Sequence, residues 1–217
     1  MLNTLIIILA LILLGVLLHF DKQGNRKAAL PVKTLLSCLF VITALVQPHP
    51  LPGYFYLLLI GLIFCLGGDV FLALPQEKMF LYGLVSFLVG HVFYVIAFFA
   101  IAHLHQWTWI GLGICLVLSG GIYLWLRPHL GSMHLPVLFY VIAITVMVVG
   151  AWSVIGDDQW AITGRVFVFV GAVSFYFSDV FVARDRFLKP ELLNRLIGLP
   201  LYYFGQFLLA FSVGLLA

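Results

Sequence analysis

The feature that most constrains this chain is an aspartate within a long apolar run, and it occurs twice. Asp69 lies in the segment Gly61–Ala73, GLIFCLGGDVFLA, and Asp179 lies in the segment Gly171–Ala183, GAVSFYFSDVFVA. Both segments share a first glycine, the tripeptide Asp-Val-Phe and a last alanine at the same spacing. A carboxylate within a membrane span is costly, so such residues usually face a polar interior and serve a function. The repeated pattern therefore predicts a site built from both acids.

Composition places these runs in a membrane. Hydrophobic residues make up 64% of the chain and charged residues 9%, whereas soluble domains have about 25% charged residues. The net charge of +3 is small and fits basic loop ends at a membrane surface better than a nucleic-acid face, which needs a clustered basic patch, so we expect membrane lipids and no nucleic acid as partners. The cysteines, Cys38, Cys65 and Cys115, lack CxxC spacing and are expected to be apolar packing residues. We expect one polytopic membrane domain over residues 1–217.

Hydropathy and chain breaks predict an all-α integral membrane protein, a bundle of eight transmembrane helices. The run Leu2–Leu18 lacks a basic leader and a cleavage site, so we expect a retained first span rather than a signal peptide. Pro75, Pro128 and Pro190 each follow an apolar run, where proline ends a helix. The predicted helices cover residues 2–20, 30–47, 54–74, 79–102, 107–126, 134–155, 161–183 and 196–216.

The distribution of positive charge predicts the orientation of the bundle. Loops after the odd-numbered helices carry most of the Lys and Arg residues, whereas Asp157 and Asp158 lie in an intervening loop. The positive-inside rule then places the basic loops in the cytoplasm and both termini outside. Short loops favour a bacterial inner membrane as the location.

Polar residues within the predicted spans lie in the cytoplasmic half or near the midplane. They are Lys33, Asp69, His91, Ser174, Ser178, Asp179, Tyr202, Tyr203 and Gln206. We therefore expect a polar cavity that opens toward the cytoplasmic leaflet. His91 follows Asp69 at nearly the spacing at which Tyr202 follows Asp179, which indicates a parallel internal repeat of helices 1–4 and 5–8. Such a repeat can place the two aspartates across one cavity.

Most of these residues also have a purely structural interpretation, which is harder to find for Gln206. Lys33 can extend to the membrane surface or bind a lipid phosphate as a point charge. Tyr202 and Tyr203 suit an aromatic belt, and Ser178 can bond to the backbone. His91 is the only clearly buried histidine, whereas zinc commonly takes three or four protein ligands, so we expect no metal site and no cofactor.

The segments around the two acids resemble a known family. Gly61–Tyr94 contains GDVFL and SFLVGHVFY, and Gly171–Gln206 contains FSDVFVARDRF and LYYFGQ. These motifs are similar to the YhhN-like membrane proteins, the lysoplasmalogenases, and Lys33 fits the lysine that the family carries near the start of its second helix. The resemblance implies a membrane hydrolase that acts on a lysophospholipid. It would cleave the vinyl ether of lysoplasmalogens to a fatty aldehyde and glycerophosphoethanolamine or glycerophosphocholine.

Vinyl ether hydrolysis needs a positioned acid and a base for water, and two nearby carboxyl groups sharing one proton can supply both. We expect Asp69 and Asp179 to fill these roles, with His91 tuning the proton or positioning water. Lys33 is expected to bind the phosphate, and Tyr203 and Gln206 the glycerol hydroxyl or the ether oxygen. Ser178 and Tyr202 are further expected substrate-binding residues. The alternatives are a membrane transporter or lipid-binding protein that uses the acids as a proton relay, and a structural membrane partner. The sequence does not indicate whether the protein is a monomer or an oligomer.

Overall fold

A computed structural model describes residues 1–217, which form a bundle of eight long α-helices without strands. Short 3-10 turns lie between α5 and α6, and one π-helical turn follows α7. The helices are α1 Leu2–Lys22, α2 Arg26–Val46, α3 Pro52–Ala73, α4 Glu77–Ile101, α5 Gln106–Leu126, α6 His134–Gly156, α7 Ile162–Ala183 and α8 Leu192–Ser212.

Helices α1 to α7 are each long and apolar enough to cross a membrane. The predicted all-α integral membrane protein is therefore confirmed, and seven of the eight predicted spans meet the criterion for a membrane span. Helix α8 does not meet it, since it carries Asn194, Arg195 and Gln206 among its apolar residues. It packs on α7, α2, α1 and α3 within the bundle.

The starts of α2 and α8 lie about one turn earlier than the sequence predicted. Helix α2 begins at Arg26 because the Asn25 side chain accepts a hydrogen bond from the Ala28 N–H at 3.2 Å and so caps the helix. Helix α8 begins at Leu192, directly after Pro190 and Glu191, and ends at Ser212 rather than at residue 216. Hydropathy missed the first turn of both helices because polar residues occupy it.

Helices α3 and α4 form one closely packed hairpin, and α7 and α8 form another. A Cβ added at Gly61 would lie 3.1 Å from the Gly90 carbonyl oxygen, and one added at Gly171 would lie 3.0 Å from that of Gly205. Glycine at these positions lets the two backbones of each hairpin touch, as small residues do between membrane helices.

One end of the bundle collects the positive charge. Every Lys and Arg except Lys33 and Arg165 lies in a connection or in the first or last turn of a helix at the end where α1 meets α2 and α7 meets α8. We call this end the basic end. It lies next to the two aspartates, since Asp69 and Asp179 are both near the C-terminal ends of their helices.

The opposite end is closed by a polar cluster around Asp157. The Asp157 carboxylate accepts hydrogen bonds from the His103 backbone N–H at 3.0 Å and from the Gln159 side chain at 3.0 Å. Its Oδ2 also lies 3.1 Å from the His103 Nδ1. The Trp160 indole N–H donates to the Ile101 carbonyl at 2.7 Å. These contacts tie the end of α4 to the connection between α6 and α7.

Candidate active site

A cavity of about 630 Å³ opens at the basic end and is lined by residues from all eight helices. Both Asp69 and Asp179 line it, as do Lys33, Ser178 and Tyr202. The cavity wall is mostly apolar, with 22 hydrophobic residues among the 38 that line it. The structure therefore places the two acids of the repeated motif in the wall of one cavity.

Asp69 is held by groups from two other helices. Its side chain is 1% exposed, and Oδ1 lies 3.0 Å from the Lys33 Nζ on α2. Its Oδ2 accepts hydrogen bonds from the Ser37 hydroxyl and from the Tyr202 hydroxyl, both at 2.6 Å. A buried carboxylate with a cation and two donors has its charge compensated and its lone pairs satisfied. The geometry fits an ionised Asp69.

Asp179 has a different environment. It accepts one hydrogen bond, from the Tyr140 hydroxyl on α6 at 2.5 Å, and no cationic side chain lies within 4.0 Å of it. No hydrogen bond joins Asp179 to Asp69. The two carboxyl groups therefore share a cavity, while each has its own set of partners.

Tyr203 and Gln206 form a second layer behind the cavity wall. The Tyr203 hydroxyl lies 3.2 Å from the Ser37 hydroxyl and donates to the Lys33 carbonyl at 3.4 Å. Gln206 accepts from the Tyr94 hydroxyl at 2.8 Å and donates to the Tyr202 oxygen at 3.3 Å. Neither residue lines the cavity, although the sequence predicted that both would bind substrate. Their contacts instead fix Ser37 and Tyr202, the two hydroxyl groups that donate to Asp69.

The profile of the YhhN family matches residues 28–213, which is most of the chain. The chain belongs to the YhhN family. The resemblance expected from the two motifs is therefore confirmed.

Curated relatives of this YhhN-family chain are named as enzymes. Lysoplasmalogenase TMEM86B of Mus musculus is 33% identical over 195 residues, which cover 88% of this chain and 77% of the relative. Lysoplasmalogenase TMEM86A of Homo sapiens is 29% identical over 198 residues, 83% of this chain and 78% of the relative. A lysoplasmalogenase of Mycobacterium bovis is 27% identical over 191 residues, 85% of this chain and 66% of the relative.

The alignment with the lysoplasmalogenase TMEM86A of Bos taurus covers a smaller part of both proteins. It is 31% identical over 160 residues and covers 70% of this chain, which spans 63% of the bovine protein's length. No solved structure matches the chain significantly.

His91, the remaining predicted catalytic residue of this YhhN-family chain, is fully buried and does not line the cavity. Neither of its ring nitrogens has a hydrogen-bond partner. Its ring lies 5.1 Å from the Tyr140 ring and 4.6 Å from the Phe175 ring, measured between centroids. No hydrogen bond joins His91 to Asp179, but its ring packs against that of Tyr140, whose hydroxyl donates to Asp179.

Sequence reasoning missed two side chains that contact the acids of this YhhN-family chain. Ser37 follows Lys33 by one helical turn, and that i, i+4 spacing on a polar face is a signal that could have identified it. Tyr140 is a single tyrosine in an apolar helix, and nothing in its sequence context distinguishes it. No group of three or more His, Cys, Asp or Glu side chains is placed to hold a metal ion.

Proposed function

We propose that this YhhN-family chain hydrolyses the vinyl ether bond of lysoplasmalogens to a fatty aldehyde and a glycerophospho-base. The observation that carries the proposal is one cavity holding two carboxyl groups in unequal environments. The names of the curated relatives, which are lysoplasmalogenases, give the substrate class. The largely apolar cavity suits a substrate with a hydrocarbon chain.

The reaction needs a proton donor and a proton acceptor at separate positions. A proton adds to the vinyl carbon that does not carry the oxygen, and the double-bond electrons form the new C–H bond. The neighbouring carbon and the ether oxygen then share a positive charge. Water adds to that carbon and loses a proton, and the resulting hemiacetal breaks its bond to the glycerol oxygen. General acid–base catalysis of such steps uses a protonated group and an ionised group.

In the proposed mechanism Asp179 is the acid and Asp69 is the base. Asp179 has no cation nearby, and an unpaired carboxylate in an apolar cavity is costly, so the protonated form is favoured. Asp69 is ionised beside Lys33, stabilises the cationic intermediate and accepts the proton from water. One proton of the water replaces the one that Asp179 donates, and the other ends on the glycerol oxygen. Protons and electrons therefore balance over one turnover.

The other predicted site residues take supporting roles in this proposal. Ser178 and Tyr202 line the cavity and are available to bind the ether or glycerol oxygens. Tyr203 and Gln206 position the Asp69 donors, and His91 supports the Tyr140 ring that holds Asp179. Lys33, which the sequence predicted to bind phosphate, instead keeps Asp69 ionised.

The architecture is proposed to be one membrane domain with two parallel halves, α1–α4 and α5–α8. The matched Asp-Val-Phe segments and the close glycine contacts at Gly61 and Gly171 support the repeat. The clustering of Lys and Arg at the basic end supports a cytoplasmic position for it and external termini. A bacterial inner membrane fits the short connections.

The deciding experiment is aldehyde release from a vinyl-ether lysophospholipid by the purified protein in detergent. D69N and D179N are each expected to abolish turnover, with the melting temperature of each variant in detergent establishing that it remains folded, whereas D158N, at the opposite end of the bundle, serves as the matched control. A transporter or a lipid-binding protein would release no aldehyde. Near-normal turnover in both D69N and D179N would overturn the assignment of the two acids.

A further inference from the structure

The mouth of the cavity, at the basic end, carries charged side chains in addition to Lys33 and the two central acids. Six such side chains line it, from α1, α2, α4, α8 and the turn after α7: Asp21, Arg26, Glu77, Asp185, Arg186 and Arg195. Their pairing decides which of them are available to a ligand.

Arg195 is engaged by two carboxylates. Its Nε lies 3.3 Å from the Asp185 Oδ2, and its Nη1 lies 3.8 Å from the Asp21 Oδ1. Asp185 also accepts hydrogen bonds from the Glu191 backbone N–H at 3.1 Å and from the Asn194 side-chain amide at 3.4 Å. Both of its carboxylate oxygens therefore have donors. Asp21 has only the long contact to Arg195, and its side chain is 15% exposed. Asp21 therefore retains the capacity to accept from another cation.

Arg26 and Arg186 are the cations at the mouth without a carboxylate partner within 4.0 Å. The Arg186 guanidinium lies over the Phe80 ring, 4.6 Å from its centroid, and the Phe80 ring packs edge-on against Phe187. This stacking holds Arg186 at the wall while leaving its N–H donors free. Lys33 is not available to an anion at the mouth, because it is 14% exposed and paired with Asp69.

We propose, on the basis of the function proposed above, that this mouth binds the zwitterionic headgroup of the substrate. Arg26 and Arg186 bind the phosphate, and Asp21 binds the ammonium group of the base. Guanidinium groups match phosphate oxygens in both charge and geometry. Arg26 begins α2 directly after the turn that follows Asp21, and both side chains line the mouth of the same cavity, so one mouth offers a cation and a carboxylate to the two charges of the headgroup.

Depth along the bundle supports the same arrangement. Asp69 lies one turn inside the end of α3, about 6 Å from Ala73 at the rise of an α-helix. The central acids are therefore deeper than Asp21 and Arg26, which are at the ends of their helices. A lysolipid whose headgroup is at the mouth places its glycerol and vinyl ether toward those acids. The hydrocarbon chain then extends into the apolar part of the cavity.

Three substrates separate the parts of this proposal: an alkenyl-glycerophosphoethanolamine, an alkenyl-glycerophosphate without the amine, and an alkenyl-glycerol without phosphate. The double variant R26Q/R186Q is expected to lower kcat/KM for both phosphate substrates, relative to the alkenyl-glycerol, at least about tenfold. D21N is expected to raise KM for the ethanolamine substrate several-fold relative to the alkenyl-glycerophosphate. R127Q, at the same end but outside the cavity lining, is the matched control.

The outcomes distinguish the two proposals. Wild-type protein that cleaves none of the three substrates contradicts the proposed function. Wild-type protein that cleaves all three with ratios unchanged in R26Q/R186Q and D21N overturns the headgroup site and leaves the function standing. A melting temperature of each variant in detergent, equal to that of R127Q, establishes that a changed ratio reflects binding. A reduced ratio in the variants at equal stability supports the headgroup site.

Discussion

The Lys33 ammonium lies 3.0 Å from the carboxylate of the buried Asp69, and Lys33 is itself only 14% exposed. Two hydroxyl groups, from Ser37 and Tyr202, complete the surroundings of that carboxylate. Asp179, on the same cavity, has a single hydroxyl donor. This inequality between the acids leads to several measurable consequences.

Replacing Lys33 with methionine is expected to lower the free energy of unfolding by about 3 kcal/mol, because a buried carboxylate then loses its cation. The double variant K33M/D69N is expected to recover most of that loss, since no charge remains unpaired. Thermal denaturation of both variants in detergent measures the difference. Equal stability of K33M and the wild type would show that the ion pair does not stabilise the fold.

Replacing Tyr140 with phenylalanine removes the hydroxyl that donates to Asp179. We expect a decrease in kcat of about tenfold or more, with a stability loss of only about 1 kcal/mol, because one hydrogen bond is lost. Y123F is the matched control, since the Tyr123 hydroxyl contacts His134 at the same end of the bundle and does not line the cavity. Unchanged kcat in Y140F would remove Tyr140 from the site.

Replacing His91 with leucine is expected to leave the stability unchanged or to raise it by about 1 kcal/mol. The reason is that both ring nitrogens are buried without partners, and an apolar side chain removes that cost. A decrease in kcat at equal or higher stability would show that the ring positions Tyr140. A large loss of stability would instead point to a polar partner for His91.

Replacing Gly171 with alanine is expected to destabilise the protein by about 1–3 kcal/mol, because the new Cβ would lie 3.0 Å from the Gly205 carbonyl oxygen. G120A is the matched control, since a Cβ at Gly120 in α5 meets no atom within 4 Å. That substitution should be neutral or slightly stabilising, as alanine favours helices. Equal melting temperatures for G171A and G120A would contradict the close contact.

The Asp157 cluster predicts an acid-dependent change in stability. Partial burial alone would raise the pKa of Asp157, but the hydrogen bonds from His103 and Gln159 outweigh it and lower the pKa. Because the pKa of Asp157 is lower in the folded state than in the unfolded state, its ionised form stabilises the fold at every pH above the unfolded pKa of about 3.9. This stabilisation is lost as the pH falls below that value and through the folded-state pKa. Below about pH 4 the melting temperature of the wild type should therefore decrease relative to that of D157N. Parallel pH curves for the two proteins would show that the cluster does not contribute.

Much of the fold could be predicted from the sequence, because a helix that crosses a lipid bilayer must have a minimum length and a high hydropathy. All eight helices were expected, and six of them began within about two residues of their observed positions. The exceptions, α2 and α8, have polar residues in their first turns, and these turns are held by the Asn25 cap in α2 and by contacts of Asn194 with Arg184 and Asp185 in α8. Contacts of this kind are not visible to a hydropathy pattern.

The candidate site was accessible only in part. The repeated motif identified Asp69 and Asp179, which do line one cavity, while their catalytic roles stay predictions. The pairing of Lys33 with Asp69 could not be inferred, because it depends on how α2 and α3 rotate against each other. For the same reason the sequence could not tell that Tyr202 faces the cavity whereas Tyr203, its neighbour, faces away from it.

The backbone contacts at Gly61 and Gly171 limit how the protein can deform. Where two helix backbones already touch, neither can tilt toward the other, so each hairpin moves as a rigid body. Any opening of the cavity that admits a lipid must then occur where a hairpin contacts the other helices. Ligand entry should consequently leave amide hydrogen exchange within α3–α4 and α7–α8 slow, and concentrate fluctuations at the contacts between the hairpins and the other helices.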